Sequence, residues 1–392
     1  MSKNDDLRAA QRAIVAALSQ HAALSYRASS AVVNRLHEHI DLLAKELTAS
    51  LADRLDSLTQ AEMQAFLSGK YTTAKLKAMR AEIDGWGVTL NQAINSEWDK
   101  SALSLAGYEA AYMGEVMHKA LDGLPKPKPK PKPETMLRNA MQAPLMGQFV
   151  EDMLSGIAPD QTARIYASLR QGIAAGQSNS QIIRALRGTP DLRYQDGLMQ
   201  AAKRDVERVV RTARNHIANV AYDNTYEALG VEYVVRVAAL EGRTCVACAG
   251  LDGKIYKRTD PKPAATLHPN CRCQYAPALE GELIGNRPFV KAMKVRGRDG
   301  VSKYRSIGGM TKSQREKAGL KIGQTKASTS YSSWFANQDA AYQREWLGPT
   351  RHKLYKQGKM PIERFSDPLG KRYTIDQLHQ RDVETFKAIF GD

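Results

Sequence analysis

The sequence predicts a mainly α-helical chain of several domains, with one small α+β domain and an extended linker. Three observations predict it. Aromatic residues make up 7% of the chain, Ala and Leu are abundant and β-branched runs are few, a composition that favours helix. The apolar positions recur with a helical period over long stretches. At 392 residues the chain exceeds what a single core ordinarily organises. The 43% hydrophobic and 25% charged content is that of a folded globular protein, which excludes wholesale disorder and a membrane-embedded body.

In the N-terminal third, Leu36, Ile40, Leu43, Leu47, Leu51, Leu55 and Leu58 advance at about 3.7 residues per step. That spacing is nearer an eleven-residue repeat than a heptad, so a long helix in a bundle is expected rather than a left-handed coiled coil. Thr59 followed by Glu62 is a capping box that restarts a helix. Ile94, Trp98, Leu105, Tyr108, Tyr112 and Val116 are expected on one face of a further helix. Residues 1–123 thus read as an N-terminal helical region. Alternating Pro and Lys from Pro125 to Pro133 block both helix and sheet and favour extended polyproline II, giving a Pro-Lys linker over 124–134.

Residues 135–285 begin with amphipathic segments at 136–154, 160–175 and 178–186, the last opened by Ser178 with Gln181 and closed by Gly188. A longer helix is expected over 195–229, ended by Gly230. The period then changes: 231–240 is rich in Val, and short strands are expected at 254–257 and 274–276. From 286 to 333 the pattern dissolves into Gly, Ser, Thr and Lys, which predicts a basic flexible arm. A small helical region follows at 334–392, with helices near 339–347 and 351–357, an extended piece at 371–374 and a last helix over 375–390 capped by Thr374.

The formal net charge is +16, and it is unevenly distributed. Residues 1–123 hold 13 Lys and Arg against 15 Asp and Glu, whereas 287–392 hold 22 against 10. A basic surplus of this size draws a protein to polyanions. Within the arm, Arg287, Lys291, Lys294, Arg296, Arg298, Lys303, Arg305, Lys312, Arg315, Lys317, Lys321 and Lys326 face only Asp299 and Glu316. These twelve are the candidate contacts to double-stranded DNA, bound without sequence preference. The N-terminal region lacks that electrostatic footprint and is expected to dock on protein. The first twenty residues carry no secretory pattern, no segment approaches a membrane span, and folding in a cytoplasm is expected. Phosphate-binding glycine loops are missing from the sequence.

All four cysteines fall between Cys245 and Cys273. Cys245 and Cys248 form a Cys-x-x-Cys pair, and His268 leads into Cys271 and Cys273. Zinc prefers tetrahedral thiolate and imidazole coordination, and the first spacing presents two sulfurs to one ion. The second pair faces one side if it lies on extended chain. Cys245, Cys248, Cys271 and Cys273 are therefore candidate ligands of a structural zinc, with His268 as a substitute ligand or a partner of one. Two disulfides and unmetallated thiols are the competing readings. The His-x-Glu pair of zinc deaminases is absent, a second histidine placed for an HNH-type nuclease is not evident, and no catalytic residue is expected.

The run Arg211-Thr212-Ala213-Arg214-Asn215, then Tyr226 to Gly230, Arg243-Thr244-Cys245-Val246-Ala247-Cys248, Leu251-Asp252-Gly253 and His268-Pro269-Asn270-Cys271-Arg272-Cys273 resembles the phage Mu F-like head morphogenesis, or minor head protein, family over about 178–279. The family's usual tryptophan and aspartate before the first cysteine are replaced here by Val or Arg236 and by Glu241. Trp334, Gln338, Gln343, Trp346-Leu347-Gly348, Arg351, Leu354 and Gly358 are similar to a C-terminal extension carried by some of these phage proteins. The resemblance implies a structural, non-enzymatic minor component of a tailed-phage head, acting near the portal in capsid assembly and in packaging or ejection of the DNA. It implies the portal protein and other head proteins as partners. The expected location is the virion, in the head interior or at the portal vertex, and the host cytoplasm during assembly. A metal-dependent nuclease or a toxin-like effector packaged in the head is the alternative.

Overall fold

The computed structural model describes residues 3–120, 132–278, 285–296, 300, 302–304 and 310–391. Most of the Pro-Lys run lies outside these residues. Helix α1 (Lys3–Ser57) is followed by α2 (Gln60–Leu67) and α3 (Ala74–Ala120). The capping box forms as expected: the Glu62 amide donates to Thr59 Oγ1 at 3.3 Å and the Thr59 amide to Glu62 Oε2 at 2.9 Å. After the linker come α4 (Pro133–Gln142), α5 (Val150–Ser155), α6 (Ile157–Ala174), α7 (Asn179–Arg187) and α8 (Met199–Ala228). Pro133 is the first residue of α4, where its missing amide costs nothing. The predicted helix over 136–154 is thus two helices, parted at Pro144 and a bridge between Leu145 and Gln148.

The linker does not divide the core. Leu36, Ile40, Leu47 and Leu51 of α1, Ile83, Leu90 and Ile94 of α3, Ile165 and Leu169 of α6 and Val206, Val210 and Ile217 of α8 belong to one buried cluster. The apolar faces of α1 and α3 close over α8, so the residues on both sides of the Pro-Lys run bury each other. The buried stripe of α3 also departs from the sequence expectation. Ile94, Trp98 and Leu105 are buried, but Tyr108 is 55% exposed and the stripe continues through Glu109, Met113 and Met117.

Glu109 is buried because it is hydrogen-bonded, as a buried carboxylate must be. Its Oε2 lies 2.7 Å from His21 Nε2 and accepts from the Tyr222 hydroxyl at 2.6 Å, joining α3 to α1 and α8. Tyr112 stacks on His21 with ring centroids 3.8 Å apart and donates to the Ala17 carbonyl at 2.9 Å. Burial first and Glu109 second raise the Tyr222 pKa, which keeps this phenol a donor.

Beyond α8 the chain turns at Gly230 (φ 68°) into a small α+β unit. Strand β1 (Tyr233–Val237) runs into β2 (Leu240–Glu241), helix α9 (Val246–Leu251), β3 (Ile255–Lys257) and β4 (Gln274–Pro277). β1 is the centre of an antiparallel sheet between β3 and β4, with Val235 opposite both Ile255 and Ala276. A second sheet orders β2, β5 (Asn286–Lys291) and β8 (Lys321–Lys326), β2 parallel to β5 and β8 antiparallel to it. Strands β6 (Lys294–Arg296) and β7 (Ser302–Tyr304) form a hairpin, and α10 (Lys312–Lys317) precedes β8.

The described part of 286–333 is therefore largely strand and helix, where the composition predicts an arm. Gly323 shows why composition misleads. It sits opposite Phe289, and a Cβ there would lie 2.8 Å from the Phe289 ring, so this glycine admits an aromatic side chain rather than conferring freedom.

The C-terminal region holds α11 (Tyr331–Ala336), α12 (Ala340–Leu347), α13 (Pro349–Lys356), α14 (Ile375–Arg381) and α15 (Val383–Phe390). Thr374 caps α14 as expected, and Gln377 completes a capping box with it. The predicted last helix is broken at Asp382, whose Oδ1 accepts from the Thr385 amide at 3.3 Å and starts α15. Tyr331, Trp334, Phe335, Tyr342 and Leu354 make a core with Leu240, Val246 and Ala249 of the α+β unit. Trp346 Nε1 donates to the Thr244 carbonyl at 2.9 Å, and the 3₁₀ turn Ile362–Phe365 packs on α9.

One carboxylate bolts these parts together. The side chain of Asp252 is 0% exposed and that of Arg287 3%. Arg287 donates from Nη1 to Asp252 Oδ2 at 2.9 Å and from Nη2 to Oδ1 at 3.1 Å, while the amides of Ala238 and Tyr331 each donate to the same carboxylate at 2.7 Å. Arg287 is thereby removed from the set of cations available to DNA: its charge is spent inside the protein. Lys291 pairs with Asp339. Breaking a buried ion pair leaves the surviving charge without compensation. Asp252→Asn is expected to lower stability by about 3–5 kcal/mol, measured by chemical denaturation. Limited proteolysis should cut first between 327 and 391; unchanged stability and cleavage would show that the clamp is dispensable.

Candidate metal centre

Cys245 is the N-cap of α9, with extended backbone (φ −77°, ψ 163°) and a sulfur that accepts from the Cys248 amide at 3.4 Å. That one-turn geometry places the sulfurs of Cys245 and Cys248 on the same side. The other side of α9 packs on the C-terminal region, and a Cβ on Gly250 would lie 3.0 Å from Glu363 Cα. The second pair arrives on the segment leading into β4. Asn270 takes a left-handed conformation (φ 60°), which asparagine tolerates, and the Cys271 amide donates to the His268 carbonyl at 3.0 Å.

Helix α8 holds that segment by its polar side chains. Thr212 Oγ1 accepts from the Asn270 amide at 2.8 Å. Asn215 Nδ2 donates to Thr266 Oγ1 at 2.8 Å and to the Cys273 carbonyl at 3.3 Å, which also accepts from Asn219 Nδ2 at 3.2 Å. Glu241 pairs with Arg272, which follows Cys271, and accepts from Arg243 at 2.9 Å. Glu241 thus places a carboxylate beside the second cysteine segment.

The five expected ligand residues converge. Cys248 Sγ lies 3.3 Å from His268 Nε2 and 3.8 Å from Cys271 Sγ. Donor atoms of Cys245, Cys248 and His268, and those of Cys248, Cys271 and Cys273, lie within 4.8 Å of one another. Cys248, Cys271 and Cys273 are buried, and all four cysteines are free thiols; a disulfide requires sulfurs about 2.0 Å apart. Zinc bonds of about 2.3 Å to sulfur and 2.0 Å to nitrogen in a tetrahedron put sulfurs about 3.8 Å apart and sulfur about 3.5 Å from nitrogen. The donor set and its spacing therefore fit a metal ion. His268 Nδ1 lies 2.9 Å from the Pro269 carbonyl, which orients Nε2 toward the sulfurs.

The electrostatics point the same way. A hydrogen bond with Cys248, and then His268, lower the Cys245 pKa to about 4, while bonds with Cys248 and Cys273 hold Cys271 well below the usual thiol range. Cys248 is raised by its bonds to Cys245 and Cys271. For Cys273, a bond with Cys248 favours the thiolate, but Cys271 and burial prevail and raise it. Burial opposes charge on His268, yet bonds with Cys245 and Cys271 raise its pKa to about 11. Like groups this close cannot all ionise without a cation, and a divalent ion supplies one.

Residues 163–276 match the family model described as Phage Mu protein F like protein. The chain carries a Mu F-like domain. The match runs from within α6 to β4 and contains the whole cysteine and histidine cluster. No curated protein and no solved structure matches the chain. Among the described residues, no helix is long and apolar enough to cross a membrane.

The fold gives roles to residues that the motif spacing left without one. Thr212 and Asn215 clamp the second cysteine segment, Arg214 is buried with Nε donating to Ser29 Oγ at 3.2 Å, and Asp252 holds Arg287. Asn219 and Arg236 carried no signal as site residues, because the Cys273 carbonyl that Asn219 reaches and the two carbonyls and one sulfur that Arg236 reaches are distant in sequence. The basic candidates do not form one class. Lys294, Arg296, Lys312, Lys317, Lys321 and Lys326 are exposed, and Arg315 is half-buried and donates to the Met310 carbonyl at 2.9 Å. Arg298, Arg305 and the side chain of Lys303 lie outside the described residues. Asn215→Ala deletes two hydrogen bonds, each worth about 1 kcal/mol. A loss near 2 kcal/mol is expected by denaturation, with faster amide exchange appearing first over 266–273; uniform exchange would count against the clamp.

Proposed function

We propose that this protein is a structural minor head protein of a tailed phage, acting near the portal in capsid assembly and in the packaging or ejection of DNA. The observation that carries this reading is the Mu F-like match, which lies on a domain whose distinctive residues act on its own fold: Thr212, Asn215, Arg214 and Asp252 all tie chain segments together. Its partners are then the portal protein and other head proteins. Its place is the virion, in the head interior or at the portal vertex, after assembly in the host cytoplasm. Peptide mass spectrometry of purified particles tests this; a particle lacking the chain sinks it.

In this reading Cys245, Cys248, Cys271, Cys273 and His268 supply the ligands of a structural zinc. Zinc would contribute folding energy here by tying α9 to the segment before β4, and no open coordination position is needed for that. Protein purified anaerobically is expected to hold one equivalent of zinc by elemental analysis. Chelation should raise amide exchange over 245–273 while α1 and α3 keep their protection; metal-free protein of equal stability would remove zinc from the reading.

Double-stranded DNA is the proposed polyanionic partner, met by the exposed cations around the second sheet. If six of them meet phosphates, the log–log salt slope of binding is expected near about −5, from about −0.9 per phosphate. Replacing Lys294, Arg296, Lys321 and Lys326 with Ala should flatten the slope by up to about 3.6. A slope unchanged by the substitutions would place DNA contacts elsewhere, the Pro-Lys run first.

A further inference from the structure

Arg236 is 0% exposed, and among the described residues no carboxylate pairs with it. Its Nη1 donates to the Ala264 carbonyl at 2.6 Å and its Nη2 to the Ala265 carbonyl at 3.0 Å. Nη2 also reaches Cys248 Sγ at 3.8 Å, Nε has no hydrogen-bond partner among the described residues, and the guanidinium lies 5.7 Å from the centre of the Tyr275 ring. Two neutral carbonyls and a ring face do not offset the cost of burying a full positive charge, which is several kcal/mol even after relaxation. Guanidinium cannot escape by losing its proton. Among the described residues, the one side-chain group of the cluster that its guanidinium reaches is the Cys248 sulfur, which carries negative charge once it binds a metal as a thiolate.

We propose that Arg236 is the built-in counter-cation of the metal centre, and that its single charge sets how tightly the thiolates hold a divalent ion. This deepens the zinc reading and rests on it. A divalent ion with three thiolates and the neutral imidazole of His268 carries one net negative charge, which Arg236 cancels. With four thiolates the centre carries two, and Arg236 cancels half. In both ligand sets a buried anion and a buried cation are each expensive alone and compatible together. The position suits the purpose: Arg236 is on the central strand β1, opposite Tyr275 of β4, two residues from Cys273, so the sheet itself holds the charge against the sulfurs. Outer partners of this kind typically change metal affinity 10–100-fold.

The test uses the full chain and zinc or cobalt(II) alone as the probe, with affinity read by chelator competition and the ligand set by the cobalt absorption spectrum. Arg236→Met, which keeps length and removes charge, is expected to lower zinc affinity at least about tenfold. Arg236→Lys keeps the charge but loses the fork that binds both carbonyls, and its affinity is expected to stay within about threefold of the parent. Where the Met variant does not fold, the Lys variant decides: a tenfold loss in it would assign Arg236 to carbonyl bonding and overturn the proposal, as would wild-type affinity in the Met variant. Parent protein that binds neither ion would instead overturn the zinc reading itself.

Discussion

Two backbone amides and a forked guanidinium meet on the carboxylate of Asp252, and the parts of the molecule beyond α8 take their places around that meeting. The carboxylate follows α9, so it is fixed to the helix that presents Cys245 and Cys248. Ala238 brings the end of β1, Arg287 brings β5, and Tyr331 brings the start of α11. A buried carboxylate with fewer donors would be a heavy cost; with four it is satisfied and orients every donor that reaches it. The second sheet and the aromatic core around Trp334 and Phe335 are thereby referred to the same point as the cysteine helix.

The cluster is held from both sides by elements that have no cysteine of their own. On one side, α8 uses Thr212, Asn215 and Asn219 to grip the segment that carries Cys271 and Cys273. On the other, the C-terminal region presses on the back of α9, closely enough that Gly250 has no room for a side chain. Sulfur positions are therefore set by the helical body and the C-terminal core together, and the buried cation on β1 completes the electrostatic balance. In the helical body the same logic recurs on a smaller scale, where Glu109 draws His21 and Tyr222 into one hydrogen-bonded group at the junction of three helices.

Much of this was legible in the sequence wherever the signal is local. The capping boxes at Thr59, Ser178 and Thr374 depend on contacts three residues apart. The periodic Leu and Ile of α1, the change to strand after Gly230 and the convergence of four cysteines and His268 also follow from spacing along the chain. Other features were illegible for a definite reason. Gly323 reads as flexibility until Phe289 is opposite it, and Arg287 reads as a surface charge until Asp252 is found beneath it. Asp382 breaks the last helix because its own side chain caps a new one.

The sequence by itself determined that the chain is mostly helical, where the capped helices α2, α7 and α14 begin, and that its thiols belong to one site, because hydrogen bonds over one turn and ligand spacing over two residues are properties of neighbouring residues. Only the tertiary structure decided that the N-terminal helices and the Mu F-like segment share a core, that the basic region pairs into strands, and that Arg236 and Arg287 lie inside. Those outcomes depend on which distant surfaces exclude water together and which buried charges find partners, and neither quantity exists until the chain has closed on itself.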